Sequence, residues 1–397
     1  MLEKTSPQQN IRVALIGAGS MGKGIAGQIY ATKGMDLAWV MDIDSEAAAT
    51  AAQLGQCVHH GTDFEQLLSD HPVDVLVEAT NSIGPAAEYC LAALNADAHI
   101  VLMNAEVDLA LAPLLQHEAK QRNLIVTSDA GDQHGVLASL IQEADTMGFD
   151  IVQAGNIKGF LDRYATPESI RHEAEIRKLS ATQCCAYTDG TKLHIEMAVL
   201  ANALGYLPPE GGMTGPRADN VHEALGLFDF ESYGQTPRID YLLGAEPGGG
   251  VYLVVRPKKE LPAEQKFYLS YYKLGDGPYY ILYRPYHLCH LETPKAILAA
   301  FRGEALLTTS AQSCDVYAYA KQDLAAGTSI KHAIGSAEVY GLAEPLNHHQ
   351  IPIALLEEST ILKTSLGKDE PLTIEHLDLP DNKLTKLWRQ QQDLLRQ

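Results

Sequence analysis

From residue 11 to about 155, short apolar runs alternate with stretches of helical character. The runs, at 11–16, 37–41, 73–77, 99–103 and 124–127, have the length of strands, and helices are predicted between them, for instance over 84–94 and 109–122. That alternation predicts a parallel sheet covered on both faces. Between about 151 and 310 the character changes. Strand-like runs at 251–255, 267–269 and 279–283 are separated by turns such as Gly275-Asp276-Gly277-Pro278, which predicts an antiparallel sheet with a few helices. The last segment, 311–397, carries short β-like pieces and closes on an amphipathic or frayed helix from Lys383 to Gln397.

The first apolar run breaks into Gly17-Ala18-Gly19-Ser20-Met21-Gly22, and then into residues that suit a helix. Strand, G-x-G-x-x-G and helix in that order form a dinucleotide fingerprint. Gly17 permits the tight turn, Gly19 lets backbone N–H groups approach a pyrophosphate, and Gly22 lets the helix pack closely on the strand. Ser20 and Met21 lie in the first turn, where unpaired N–H donors meet the phosphate charge. The second strand ends in Asp42, twenty residues past Gly22. A carboxylate there accepts from both ribose hydroxyls and repels a 2′-phosphate, so NAD is expected, with NADP the alternative. Ligands of such sheets sit beyond the carboxyl ends of the strands, which adds Ala79, Thr80 and Asn104 to the expected cofactor contacts. The expected architecture is α/β. A Rossmann-type parallel sheet domain covers 1–155, an α+β substrate domain 156–310, and a small β-rich C-terminal module 311–397.

Composition narrows the partners. Thirty Lys+Arg against 50 Asp+Glu give a formal net charge of −20, which opposes nucleic acid and anionic membrane surfaces. Six scattered cysteines form no C-x-x-C pair, and no apolar run approaches a membrane span, so a reduced, cytoplasmic protein is expected. A homodimer or homotetramer is expected as well.

The strongest signal outside the fingerprint is the stretch from Tyr187 to Ala198. Asp189 reads as an N-cap, and Leu193, Met197, Leu200, Ala201 and Leu204 then line one helical face. Lys192 and Glu196, one turn apart on its flank, are a candidate proton donor and base. The plain alternative is a surface ion pair worth a few tenths of a kcal/mol. Asp189, Lys192 and Glu196 are the catalytic candidates. Asn156, Lys158, Arg284 and His287 are the substrate candidates, the two cations taking the anionic end of a small substrate. Two histidines three apart, His287 and His290, with Glu292 nearby, invite a metal reading, as do Glu106, Asp108 and Asp132 on strand-end loops. None of these is a strong metal signature, and a divalent cation stays an open alternative.

Several phrases carry a family likeness. Asn104-x-Glu106-x-Asp108, Gly131-Asp132-Gln133, Gly155-Asn156-Ile157-Lys158-Gly159, Thr188-Asp189-Gly190-Thr191-Lys192, Tyr283 to Leu288 and Glu292-Thr293-Pro294 resemble the homoserine-dehydrogenase-like NAD(P)-binding oxidoreductases. They are most similar to the branch with a C-terminal SAF-type domain that includes the deoxyxylulose-phosphate-reductoisomerase-like enzymes. The stretch from Ile351 to Thr373 is similar to a SAF module. The resemblance implies an NAD(P)-dependent oxidoreductase, or a reductoisomerase, acting on a small polyhydroxylated anion such as a ketose phosphate or sugar acid. There are two departures. Homoserine dehydrogenases place an Asp and then, four residues on, a Lys, where this chain has Lys192 and Glu196. Their strand-end lysine is replaced by Asn104-Ala105-Glu106. The alternative reading is a non-catalytic NAD sensor that uses the C-terminal module to contact a partner.

Overall fold

The computed structural model describes residues 10–396, and the chain divides into two compact units. The first comprises the described residues through Gly131, the segment Leu288–Thr308 and the stretch from Gln390 onward. The second comprises Asp132–His287 and Thr309–Arg389. This differs from three consecutive domains. The last part of the segment 156–310 groups with the first unit, and most of 311–397 groups with the second.

The first unit runs β1 (Ile11–Ile16), α1 (Ser20–Ala31), β2 (Met35–Met41), α2 (Ser45–Leu54), β3 (His60–Gly61), α3 (Phe64–Asp70), β4 (Val75–Glu78), α4 (Gly84–Asn95), β5 (His99–Leu102), α5 (Ala105–Gln121) and β6 (Val126–Ser128). All six strands are parallel in the order β3-β2-β1-β4-β5-β6, the doubly wound arrangement expected of a Rossmann-type domain. The two-residue β3 has no apolar alternation to announce it. The fourth strand begins at Val75 rather than at Val73. Just before it, the Asp74 carboxylate accepts from the Arg12 backbone N–H and guanidinium at 2.8 Å each.

Two later segments complete this unit. Helix Cys289–Phe301 packs on α1, and its Ala296, Ile297 and Ala300 join Ile25, Ala26 and Ile29 in one core. Pro113 interrupts α5, and the Gln391 side chain repairs the helix there. It accepts from the Leu114 N–H at 3.1 Å and donates to the Ala110 carbonyl at 2.8 Å, standing in for one helical hydrogen bond.

The second unit contains α6 (Gln133–Thr146), β7 (Phe149–Lys158), α7 (Arg171–Arg177), α8 (Ala181–Thr188), α9 (Thr191–Leu204), β8 (Arg238–Leu243), β9 (Val251–Pro257) and β10 (Tyr280–Arg284). Its sheet, β10-β9-β7-β8, is mixed rather than antiparallel throughout, since β7 and β8 run parallel. The expected strand at 267–269 lies inside a helix, Ala263–Tyr271, that buries none of its side chains. Strands Cys314–Ala320 and Val339–Pro345 pair antiparallel and pack on α9.

That packing explains why α9 is buried nearly all round instead of on one face. Its polar side chains are tied to the two later strands. Thr191 Oγ1 accepts from the Gly341 N–H, His194 Nδ1 from that of Ala343, and Asn202 Oδ1 from those of Ser313 and Cys314, at 2.8–3.0 Å.

Candidate functional site

The glycine turn of the first unit has the geometry its spacing requires. Gly17 has φ +90, and a Cβ there would lie 2.5 Å from the Ala79 carbonyl oxygen. A Cβ on Gly22 would lie 1.8 Å from the Gly17 oxygen. At Gly19 a Cβ would meet nothing within 4 Å, so the turn is tight on its protein side and open on the other. Gly19 occupies the N-cap of α1 with no side-chain cap, and Ser20 and Met21 in the first turn are exposed. This cradle fits a dinucleotide pyrophosphate.

Asp42 stands just past β2, where its Oδ2 accepts from the Ala18 N–H at 2.6 Å and Oδ1 from the Asp44 N–H at 2.8 Å. It therefore braces the glycine turn. The side chains of the other two strand-end candidates are engaged locally. Asn104 caps α5 through the Glu106 and Val107 N–H groups and donates to the Ser82 carbonyl at 2.7 Å, while Thr80 Oγ1 lies 3.2 Å from Ser82 Oγ. Beneath this edge Glu78 is wholly buried, and desolvation pushes its carboxyl up to about 7 against a hydrogen bond from the Thr80 N–H.

The metal reading fares less well. Asp108 is buried and hydrogen-bonded by the Ser128 hydroxyl, and its carboxyl is pushed up to about 7 by desolvation. Glu106 lies in the first turn of α5, and Asp132 N-caps α6 without a side-chain bond to it. His287 Nδ1 donates to the Gly249 carbonyl at 2.8 Å, and Glu292 accepts from the Leu288 N–H. The His290 ring fits against Gly24, where a Cβ would lie 2.6 Å from it. Among the described residues no three His, Cys, Asp or Glu side chains come together to hold an ion.

In the second unit, the sheet brings three of the four substrate candidates to one place. Asn156 is opposite Val251, and Val251 is opposite Arg284, so Asn156 and Arg284 lie at one level of the sheet and on one face. Lys158, two residues on, shares that face and donates to Gln133 Oε1 of α6 at 2.9 Å. On the opposite face Ile157, Tyr252, Val254, Leu242 and Ile281 make the core. Arg284 lies over the Tyr286 ring at 4.8 Å. Asn156 is fully buried, and neither its Oδ1 nor its Nδ2 has a hydrogen-bond partner.

The catalytic candidates sit on α9 and at its start. Glu196 is only 5% exposed, which removes the surface ion pair as an account of it, and Lys192 is half-buried. Asp189 is not the N-cap. That place belongs to Gly190 at φ 88, and Asp189 ends α8. Its Oδ1 accepts from the Thr191 N–H at 2.8 Å, and its Oδ2 pairs with Lys321 Nζ at 2.8 Å. Burial pushes the Asp189 carboxyl up and Lys321 pulls it back. The ammonium also donates to the Ala165 and Ser336 carbonyls at 2.6 Å each, which employs all three of its protons. Asp189 therefore holds the start of α9 in position.

Sequence reasoning missed Lys321, Gln133, Glu78 and His194. Burial pushes the His194 imidazole down to about 3, with Arg163 adding to the effect, which leaves Nδ1 unprotonated as the acceptor for Ala343. Lys321 lies 132 residues from Asp189, and no local pattern links them.

Among the described residues, no helix is long and apolar enough to cross a membrane. Comparison with curated proteins gives no match. Similar solved structures include a putative myo-inositol dehydrogenase from Sinorhizobium meliloti, 14% identical over 74% of this chain and 89% of that one, with a TM-score of 0.42. Another is myo-inositol 2-dehydrogenase from Lactobacillus plantarum, 13% identical over 75% and 91%, with a TM-score of 0.43. Two family models match the sequence itself. Residues 17–128 match the NAD binding domain of homoserine dehydrogenase, and residues 131–293 match the catalytic domain of oxidoreductase DRL. The first match spans the glycine cradle, the second spans the buried polar face of β7, and together they make the chain an enzyme, an NAD(P)-dependent oxidoreductase.

Proposed function

We propose that this oxidoreductase transfers hydride between NAD(P) and a carbonyl or secondary alcohol on a small, polyhydroxylated, anionic substrate. The observation that carries the reading is the Asn156 amide, buried with both polar atoms unpartnered on the face that also bears Lys158 and Arg284. A buried amide left unsatisfied is costly, and a polar ligand removes that cost. The match to an oxidoreductase catalytic domain covers all three residues.

The nicotinamide, when bound, supplies the hydride donor or acceptor. Lys158 and Arg284 bind the anionic end of the substrate and fix its orientation. Lys192 donates to the oxygen on which charge develops, since a cation there stabilises the transition state more than the ground state. Glu196, one helical turn on, orients that ammonium. A reductoisomerase, in which a ketol or retroaldol rearrangement precedes reduction, is the finer form of the same proposal. The SAF-like character of 311–397 and assembly as a homodimer or homotetramer belong to it too. Asp108, taken up by the Ser128 hydroxyl, does not fit a divalent cation site.

Purified protein mixed with NADH or NADPH and a panel of ketose phosphates and sugar acids should show oxidation of the cofactor with at least one of them. Tight cofactor binding with no turnover in either direction across the panel would favour an NAD sensor instead. NAD is the preferred cofactor, because the Asp42 carboxylate repels a 2′-phosphate. Asp42→Asn keeps the acceptor for the Ala18 N–H and removes the charge. It is expected to narrow the preference for NADH over NADPH about tenfold, or about 1.4 kcal/mol, in paired titrations; an unchanged ratio would remove Asp42 from cofactor choice.

A further inference from the structure

Gln133 adds a second constraint on the substrate beside Asn156, and the inference rests on the function just proposed. Gln133, the first residue of α6, is 2% exposed. Its Oε1 faces the Lys158 ammonium at 2.9 Å, and its Nε2 has no hydrogen-bond partner. An ammonium only donates, so the orientation of this amide is fixed, and Nε2 is left as a directed donor. Lys158 and Gln133 Nε2 together suit a group that only accepts, such as a carboxylate or phosphate. Asn156 makes a different demand. Its Nδ2 needs an acceptor and its Oδ1 needs a donor, and an ionised acid offers no donor. A hydroxyl offers both.

Asn156 and Lys158 are two residues apart on β7, about 6.6 Å along the strand. The groups they bind must therefore be close neighbours on one short skeleton. We infer that Asn156 and Gln133 read a hydroxyl beside an acidic group, so that the substrate is a hydroxy acid, or a phosphoester with a hydroxyl on the adjacent carbon. Gln133 is a specificity-determining residue that orients Lys158 and adds a donor of its own. A site built to hydrogen-bond a hydroxyl discriminates strongly against the analogue that lacks it, because the buried amide is then left unpaired.

The test uses calorimetric titration of the full chain saturated with NADH, with glycerate, propionate and glycerol as probes. Glycerate, acid plus hydroxyl, is expected to bind at least tenfold more tightly than propionate. Asn156→Leu should bring glycerate down to propionate, and Gln133→Glu, which sets a carboxylate against Lys158, should weaken both acids at least tenfold. NADH affinity should hold in each. If leucine at 156 prevents folding, the near-isosteric Asn156→Asp serves, and its charge should weaken both acids at least tenfold. Equal binding of glycerate and propionate by the wild type, or a preference that survives Asn156→Leu, overturns the hydroxyl reading alone. Acid binding that Gln133→Glu or Asn156→Asp leaves unchanged also overturns the inference. Failure of the wild type to bind either acid, with NADH bound, overturns the anionic-substrate proposal and this inference with it.

Discussion

Replacing Lys321 with methionine is expected to lower the stability of the second unit by about 3–5 kcal/mol, the usual cost of leaving one partner of a buried pair without the other. The Lys321 and Asp189 side chains are 2% and 0% exposed, so water does not reach the orphaned carboxylate. The loss also unties three backbone points at once. Lys321 holds the Ala165 and Ser336 carbonyls, and through Asp189 the N–H of Thr191 that begins α9. The double substitution Lys321→Met with Asp189→Leu should recover much of the loss, since it removes both charges and leaves apolar volume behind. Urea unfolding followed by the intrinsic fluorescence of the many tyrosines reads the difference. A single substitution costing under about 1 kcal/mol would mean that the pair is solvated and that α9 is held by its other ties.

The second large effect is catalytic. Lys192→Ala should lower kcat by about 10²–10⁴-fold, the range for loss of a positioned proton donor. NADH affinity should stay within about twofold, because the glycine cradle is built from Gly17, Gly19 and Gly22 and does not include Lys192. Lys192→Arg, which keeps the charge but not the titrating amine, should restore only part of the rate. Turnover unchanged in the alanine variant would remove Lys192 from the mechanism and leave Glu196 as a buried carboxylate with a structural task.

These two residues show what a sequence makes legible. The glycine turn was readable because its spacing is local: Gly17, Gly19 and Gly22 fall within six residues, Gly17 takes φ +90, Gly22 lies against the Gly17 carbonyl oxygen, and Gly19 faces open space. The strands of the first unit were readable for the same reason, apart from β3, which owes its two residues to pairing with Val40 and Met41. The α9 stretch was recognised as a helix, but its environment was misread. A helix with one apolar face should leave Glu196 in water, and only the later strands that cover its far side reverse that. Asp189 looked like a cap because capping is a local rule, whereas its real partner is far along the chain. The run at 267–269 suggests a strand by composition, yet the structure places all of it in a helix with no core beneath it. The division into units was the least legible feature, because no pattern marks a segment that leaves one core and returns to another.

That return has a bearing on synthesis. The Rossmann-type sheet is encoded early, but Ile25, Ala26 and Ile29 lack their partners on helix Cys289–Phe301 until it has been made, and the break at Pro113 stays open until Gln391 arrives 277 residues after Leu114. A chain emerging from the ribosome therefore carries its first core incomplete through most of translation.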